Sequence, residues 1–314
     1  MQNHTGKSGT PGLSSRTCAR DPDRAPAPRA ATPYPGDMSE PAKSPEPPAR
    51  TRTALVTGAS TGIGEEYARR LAERGYSLVL VARRGDVLDA LAGEIADRYG
   101  VDVRPLAADL GTDEGLAPVV ERLRADGSGA EPPVDLLVNN AGRGDGGTFA
   151  EQEPDEIDSM LDLNVRAVLH LARAVLPVQI ARREAGDTRT RLGVINVSSL
   201  AGEIAANPGG SVYGAGKKFV TLWSESVAAE VSRHDVHVTV VLPGFVRTDM
   251  TLGVQKSGLP AFAFVPKDQV VRESLVAWAA GRPSVVPGGQ YKAASGILRL
   301  LPRTLVRATA RRVW

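Results

Sequence analysis

Short runs of mainly apolar residues alternate with segments of helical period along the middle of the chain. Thr53–Thr57, Ser77–Ala82, Val101–Leu106, Val134–Val138, Leu192–Val197 and Val236–Leu242 are the apolar runs, with Pro283–Pro287 a short seventh. Between them, Ile63–Arg74, Val87–Tyr99, Asp113–Ala125, Pro154–Ala185, Ser211–Arg233 and Lys267–Ala280 carry apolar residues at helical spacing. The longest of the first four, Pro154–Ala185, is expected to bend near Pro177, where a proline removes a hydrogen bond and crowds the preceding turn. Strands that are apolar along their whole length are buried on both faces. Their alternation with helices predicts an α/β fold with a parallel sheet covered on both sides. No linker interrupts residues 51–287, so the pattern is that of one domain.

The two ends differ from this body. Residues 1–50 are rich in Pro, Ala, Ser, Arg and Thr without an apolar period, and are read as a disordered tail. Met38 opens Met-Ser-Glu-Pro in the manner of a protein start, so residues 1–37 are read as an upstream extension. Residues 288–314 are read as a basic helical extension.

Composition narrows the function classes. The chain has 314 residues, of which 42% are hydrophobic but only 4% aromatic, so the core must be mostly aliphatic. A net charge of +2 excludes both an acidic disordered chain and a general nucleic-acid binder. Cys18 is the single cysteine, which excludes an intrachain disulfide and a cysteine-based zinc site. No apolar run reaches the length of a membrane span and no secretory signal is evident, so a cytoplasmic location is expected. The near-neutral total hides an acidic body, −7 over residues 51–273, and a basic end, +7 over 274–314. At that end Pro302 suits the first position of a helix. Arg299, Arg303, Arg307 and Arg311 would follow one side and Ile297, Leu298, Leu301 and Leu305 another. Two readings fit: docking on the acidic body or a second subunit, which is favoured, or lying on an anionic membrane.

The first apolar run leads directly into Thr57-Gly58-Ala59-Ser60-Thr61-Gly62-Ile63-Gly64, and a helix follows. Glycines between a strand and a helix N-terminus let a phosphate approach the backbone and leave N–H groups free to bind it. The spacing is T-G-x-x-x-G-x-G and not the commoner G-x-G-x-x-G.

This spacing resembles the short-chain dehydrogenase/reductase family, and further motifs follow in order. Asn139-Asn140-Ala141-Gly142 after the fourth strand matches its N-N-A-G. Asn164 matches the asparagine of its catalytic tetrad, and Tyr213-Gly214-Ala215-Gly216-Lys217 matches Y-x-x-x-K with Ser199 ahead. Pro243-Gly244 matches the P-G near the nicotinamide, with Val246 and Thr248 in the following contact segment. The resemblance spans Thr51 to about Pro287. It implies a single Rossmann-like, doubly wound domain of mostly seven parallel strands. It also implies cofactor contacts from Gly58, Ser60, Thr61, Gly62, Ile63, Gly64, Asn140, Ala141, Gly142, Pro243, Gly244, Val246 and Thr248. Asp109-Leu110 after the third strand matches the family's adenine-contacting pair.

The catalytic set is Asn164, Ser199, Tyr213 and Lys217. Tyr213 and Lys217, four residues apart on a helix, share a face. An adjacent ammonium favours the phenolate, lowering the tyrosine pKa from about 10 so that the hydroxyl can exchange a proton with a carbonyl or alcohol oxygen. Ser199 is chosen over Ser198 because Gly202 completes S-x-x-G; Ser198 is given a backbone-supporting role. The Ser199 to Tyr213 gap is one residue longer than usual, which the loop Glu203–Val212 could absorb. The resemblance assigns Lys217 also to the nicotinamide ribose and Asn164 to a water-linked proton path.

The second strand ends Ala82-Arg83-Arg84, with no carboxylate where an NAD site carries one for the ribose hydroxyls. An arginine pairs with a 2′-phosphate, so the cofactor is read as NADP(H), with Arg83 the first candidate, Arg84 the second and Ser60 a lesser contact. His170, His234 and His237 show no metal spacing, so no metal is expected. Asp145 and Glu151 are read as solvated loop residues. Trp223 and Phe219 are read as packing residues on a helix that in this family helps form dimers, and a homodimer or homotetramer is expected. The segment Thr248–Pro266 holds Met250, Leu252, Leu259, Phe262 and Phe264, which points to an apolar carbonyl substrate. The function expected is an NADP(H)-dependent oxidoreductase interconverting a ketone or aldehyde and an alcohol. The alternative is a catalytically silent nucleotide-sensing or scaffold protein of the same fold, associated with a membrane surface in one version.

Overall fold

A computed structural model describes residues 51–144, 147–204 and 207–300, and for 297–300 the backbone alone. Seven parallel strands form one sheet: β1 Arg52–Thr57, β2 Tyr76–Ala82, β3 Val103–Ala107, β4 Leu136–Asn139, β5 Leu192–Val197, β6 Val236–Val241 and β7 Ser284–Val285. Their spatial order is β3-β2-β1-β4-β5-β6-β7. The chain therefore winds outward from β1 in one direction, then returns to β4 and winds in the other. The crevice between β1 and β4, at their C-terminal ends, is the switch point where open α/β sheets bind ligands.

The helices are α1 Gly62–Ala72, α2 Gly85–Tyr99, α3 Asp113–Arg124, α4 Pro154–Leu161, α5 Ala167–Glu184, α6 Ser211–Val231, the short α7 Leu252–Gln255, α8 Lys267–Ala279 and α9 Gly289–Leu300. Strand β1 shows why both faces are covered. Ala54 and Val56 join the core under α1, α2 and α8 with Tyr67, Leu71, Leu88, Ile95 and Trp278. Leu55, on the opposite face, joins the core under α3 and α5 with Leu116, Leu123, Leu171 and Val175. Edge strand β3 carries Pro105, which an edge tolerates because one side of the strand needs no ladder donor.

The segment Pro154–Ala185 departs from the expected helix with a bend at Pro177. It divides instead at Asp162–Arg166, a π turn between α4 and α5 in which the Ala167 N–H reaches the carbonyl of Asp162. Pro177 lies within uninterrupted α5 and is exposed. Carbonyls on a solvent-facing side can tilt to water, so a proline there need not break the helix. Phe219 is exposed on α6 in the single chain, while Trp223 packs against the core. Phe264 is buried beside Phe245, with Arg247 over its ring, so its role is packing.

At the end of the sheet opposite the crevice, Arg182 and Asp135 form a buried ion pair at 2.6 Å. The second carboxylate oxygen of Asp135 accepts the Thr53 N–H at 2.6 Å, and Gln179 donates to the carbonyls of Val134, Asp135 and Gly193. No described helix is long and apolar enough to cross a membrane. Helix α9 lies within the extension expected from the sequence. Pro302, Arg303, Arg307, Arg311, Leu301 and Leu305, and the side chains of Ile297, Leu298 and Arg299, lie outside the described residues, as do the N-terminal tail and Asp145.

Candidate active site

The turn from β1 into α1 is built around Thr57. Its hydroxyl, buried at the end of β1, accepts the N–H groups of Asn140 and Ala141 at 2.9 and 3.0 Å and faces the Val138 carbonyl at 3.3 Å. The Asn140 amide donates back to the carbonyls of Thr57 and Gly58 at 3.0 and 3.2 Å. Two loops from neighbouring strands are thereby locked across the switch point. Gly58 has φ +63°, and a Cβ there would lie 2.9 Å from both the Ala141 Cα and the Asn140 amide, so only glycine fits. At Gly64 a Cβ would overlap the Gly58 carbonyl oxygen, so this glycine serves the close seating of α1 on its own turn.

A cleft of about 480 Å³ opens above this frame. Its floor carries Gly58, Ser60, Thr61, Gly62 and Ile63 from the glycine turn and Asn140, Ala141 and Gly142 from the loop after β4. Arg83 and Arg84, then Asp109 and Leu110, line the end beyond β2 and β3. Tyr213, Lys217, Pro243, Val246 and Thr248 line the other end. Both arginines are exposed, and Arg84 approaches the Ser60 hydroxyl at 3.4 Å. Met250 of the apolar segment also lines the cleft, as do Leu163, Val197, Asp249 and Thr251, which carry no motif signal in the sequence. Gly64, Asn164, Ser199 and Gly244 are not among its lining residues.

Tyr213 and Lys217 sit one turn apart near the start of α6. The Lys217 ammonium is buried, lies 5.8 Å from the centre of the Tyr213 ring and donates to the Val197 carbonyl at 2.9 Å. Burial, which disfavours the charged form, pushes its pKa down to about 8. Gly142 leaves room here: a Cβ on it would meet the Asn164 amide oxygen at 2.9 Å and the Lys217 Nζ at 3.4 Å.

Asn164 lies in the π turn, its side chain buried. Its amide oxygen accepts the Arg143 N–H at 3.0 Å and its amide nitrogen donates to the Arg143 carbonyl at 2.8 Å. The side chain thus holds the backbone of the loop after Gly142. π turns within α-helices are frequent at functional sites.

The two serines differ in their surroundings, and of the two it is Ser198 that lines the cleft. Ser198 is buried and its hydroxyl donates to the Lys217 carbonyl at 2.7 Å beside Thr221, pinning β5 to α6. Ser199 is half-buried, and its hydroxyl accepts the Ala201 N–H at 3.1 Å at the head of a 3₁₀ turn. Behind them Asn139, Asn196 and Ser224 form a buried chain of 2.9 Å hydrogen bonds, a polar relay across the sheet that the strand pattern did not reveal. Glu151 pairs with Thr148 in a capping box, and among the described residues no cluster of His, Cys, Asp or Glu could hold a metal ion.

The glycine-turn frame and the helix N-terminus above it suit the phosphates of a dinucleotide. Comparison with known proteins agrees with this architecture. A profile of the short chain dehydrogenase family matches residues 52–257. The very-long-chain 3-oxoacyl-CoA reductase of Anas platyrhynchos is 35% identical over 231 residues, 71% of this chain and 67% of the relative. A short-chain dehydrogenase from Sphingobium yanoikuyae solved in complex with NADPH is 35% identical, with a TM-score of 0.68 over 79% of this chain and 93% of that one. The alcohol dehydrogenase of Comamonas testosteroni described as specific for bulky-bulky ketones is 30% identical, with a TM-score of 0.66 over 81% and 96% of the two chains.

Proposed function

The chain belongs to the short-chain dehydrogenase/reductase family, and we propose that within it the protein is an NADP(H)-dependent enzyme interconverting a ketone or aldehyde and an alcohol. The observation that carries the reading is the placement of Tyr213 and buried Lys217 in the wall of the same cleft as the glycine turn. When bound, the nicotinamide supplies or accepts the hydride at the carbonyl carbon. The glycine turn and the loop Asn140–Gly142 hold the dinucleotide, and Arg83, with Arg84, pairs with the 2′-phosphate. Tyr213 gives its phenolic proton to the carbonyl oxygen in reduction and takes it back in oxidation. Lys217, protonated below about pH 8, favours the phenolate form of Tyr213 left after that transfer. Ser199 holds the substrate oxygen once its hydroxyl turns from the Ala201 N–H, and Asn164 supports the path by which Tyr213 regains its proton.

The substrate is read as apolar and bulky. Met250 lines the cleft and is half exposed, and Leu252, Leu259 and Phe262 of the same segment are also exposed. The named ketone specificity of the Comamonas enzyme and the acyl substrate named for the Anas enzyme support this class. The exposed face of α6 at Phe219 and Leu222 supports a homo-oligomer. The test is NADPH consumption over a panel running from small aldehydes to bulky aryl and long-chain ketones. Turnover that favours the bulky members supports the reading. NADPH binding with no turnover of any member overturns it in favour of a silent nucleotide sensor.

A further inference from the structure

Helix α9, beyond the residues the family profile matches, reaches back to the loop that follows β6. The Tyr291 ring seats on Gly244, where any Cβ would overlap it. The Tyr291 hydroxyl accepts the Phe245 N–H at 3.2 Å and donates to the Ala263 carbonyl at 2.7 Å. One hydroxyl therefore joins the two ends of the loop whose middle, Thr248–Thr251, lines the cleft. Beside this clip the Val265 N–H donates to the Phe245 carbonyl at 2.8 Å, in a parallel bridge between Val246 and Val265. The neighbouring Gln290 amide donates to the Phe262 carbonyl at 3.2 Å.

The clip has a fixed base. Lys292 pairs with Glu273 of α8 at 2.8 Å, and Glu273 also accepts the Gln269 amide at 2.7 Å. The first turn of α9 is thus anchored on one side to α8 and tied on the other to the loop. Between its buried ends the loop's side-chain bonds are local, from Thr251 to the Val246 carbonyl and from Gln255 to the Thr248 carbonyl, and its apolar side chains Met250, Leu252, Leu259 and Phe262 are all exposed, Phe262 by 77%. A segment with few buried apolar contacts opens at low cost unless specific bonds restrain it.

We propose that Tyr291 is a positioning residue that fixes the span of the loop following β6, and through it the size of carbonyl substrate the cleft admits. The specificity half of this proposal rests on the oxidoreductase reading; the restraint half does not.

The test uses the full chain with Tyr291→Phe, which keeps the ring on Gly244 and removes the hydroxyl. Amide exchange of peptides covering residues 245–263, and tryptic cleavage after Lys256, should accelerate about tenfold, while exchange in α1 and the cofactor Kd stay within about twofold. The ratio of KM values for a bulky and a small ketone should shift by about fivefold, with kcat nearly constant. Wild-type exchange in the loop, or an equal rise throughout the protein, would overturn the restraint. A loosened loop with an unchanged KM ratio would overturn the specificity role and leave a structural tie. If the wild type turns over no carbonyl, the oxidoreductase reading and the specificity role built on it fall, while exchange and proteolysis still decide the restraint. Should Tyr291→Phe fail to fold, Gln290→Ala, which cuts only the Phe262 tie, must loosen the same peptides or the restraint is rejected.

Discussion

Lys217 presents its ammonium to the Val197 carbonyl at 2.9 Å from a buried position, and among the described residues no carboxylate is paired to it. The ammonium is held there against the cost of desolvation, which sets its pKa at about 8 rather than 10.5. Between these two values the unfolded chain binds the proton and the folded one does not, so this group's contribution to stability rises with pH across that window. At pH 7 the strain is present in full, on the order of 3 kcal/mol. Lys217→Met should therefore raise the melting temperature of the cofactor-free protein at pH 7 while abolishing turnover. The gain should vanish as pH approaches 10, and thermal unfolding followed from pH 6.5 to pH 10 measures it. A mutant less stable than wild type at pH 7 would contradict the assignment.

The same group sets an expected pH profile. If the charged form of Lys217 supports proton donation by Tyr213, carbonyl reduction should fall as pH rises through about 8 in the free enzyme. Tyr213→Phe should lower kcat by about a thousandfold with the NADPH Kd within about twofold, because the ring remains and only the proton donor is lost. Fluorescence titration of NADPH beside steady-state rates separates the two effects, and a variant retaining a tenth of wild-type kcat would remove Tyr213 from the chemistry.

Arg83 and Arg84 both line the cleft, yet only Arg84 reaches toward Ser60, at 3.4 Å. Arg83→Asp should shift the ratio of kcat/KM for NADPH over NADH by about a hundredfold, through loss of a charge-assisted phosphate contact and gain of a repelling charge. An unchanged ratio in Arg83→Asp with a collapse in Arg84→Asp would transfer the phosphate contact to Arg84.

The ion pair of Arg182 with Asp135 tests the fold apart from the site. Asp135 is 1% exposed, and removing its partner leaves a buried carboxylate facing only the Thr53 N–H. Arg182→Ala should cost about 3–5 kcal/mol, a fall in melting temperature of roughly 10 °C for a domain of this size. The double variant Arg182→Met with Asp135→Leu should recover much of that loss, since two buried charges are then removed together.

The sheet was legible because most of its strands are buried and apolar without alternation, edge strand β3 excepted, and each glycine motif fell at a strand end where the topology needs it. Asn164 shows what the pattern could not carry. A π turn adds one residue to a helix without changing its composition, so Asp162–Arg166 reads as ordinary helix and Pro177 draws the expected break instead. The clip at Tyr291 was equally hidden, since its partners are the backbone of Phe245 and Ala263, and a main-chain hydrogen bond leaves no mark on residue types. Gly202 was the only sequence mark that separated Ser198 from Ser199; the structure gives Ser198 a bond to the Lys217 carbonyl and a place in the cleft wall, and puts Ser199 at the head of a 3₁₀ turn.

Thr57 was read as the last residue of a strand, and the structure makes it the hub of the cofactor frame. Its buried hydroxyl is the acceptor for two N–H groups, those of Asn140 and Ala141. Thr57→Val keeps the β-branched shape and strand propensity but leaves both donors without that partner, at a cost of about 1–3 kcal/mol for each one that finds no substitute. Because these donors hold the loop that lines the cleft through Gly142, the loss should appear in cofactor binding as well as in stability. The NADPH Kd should rise about tenfold and the melting temperature fall by several degrees, whereas Thr57→Ser, which restores the hydroxyl, should bind within about twofold of wild type. Equal weakening in the valine and serine variants would assign the effect to packing by the threonine methyl group. Wild-type NADPH affinity in Thr57→Val would show that the turn keeps its shape without the hydroxyl.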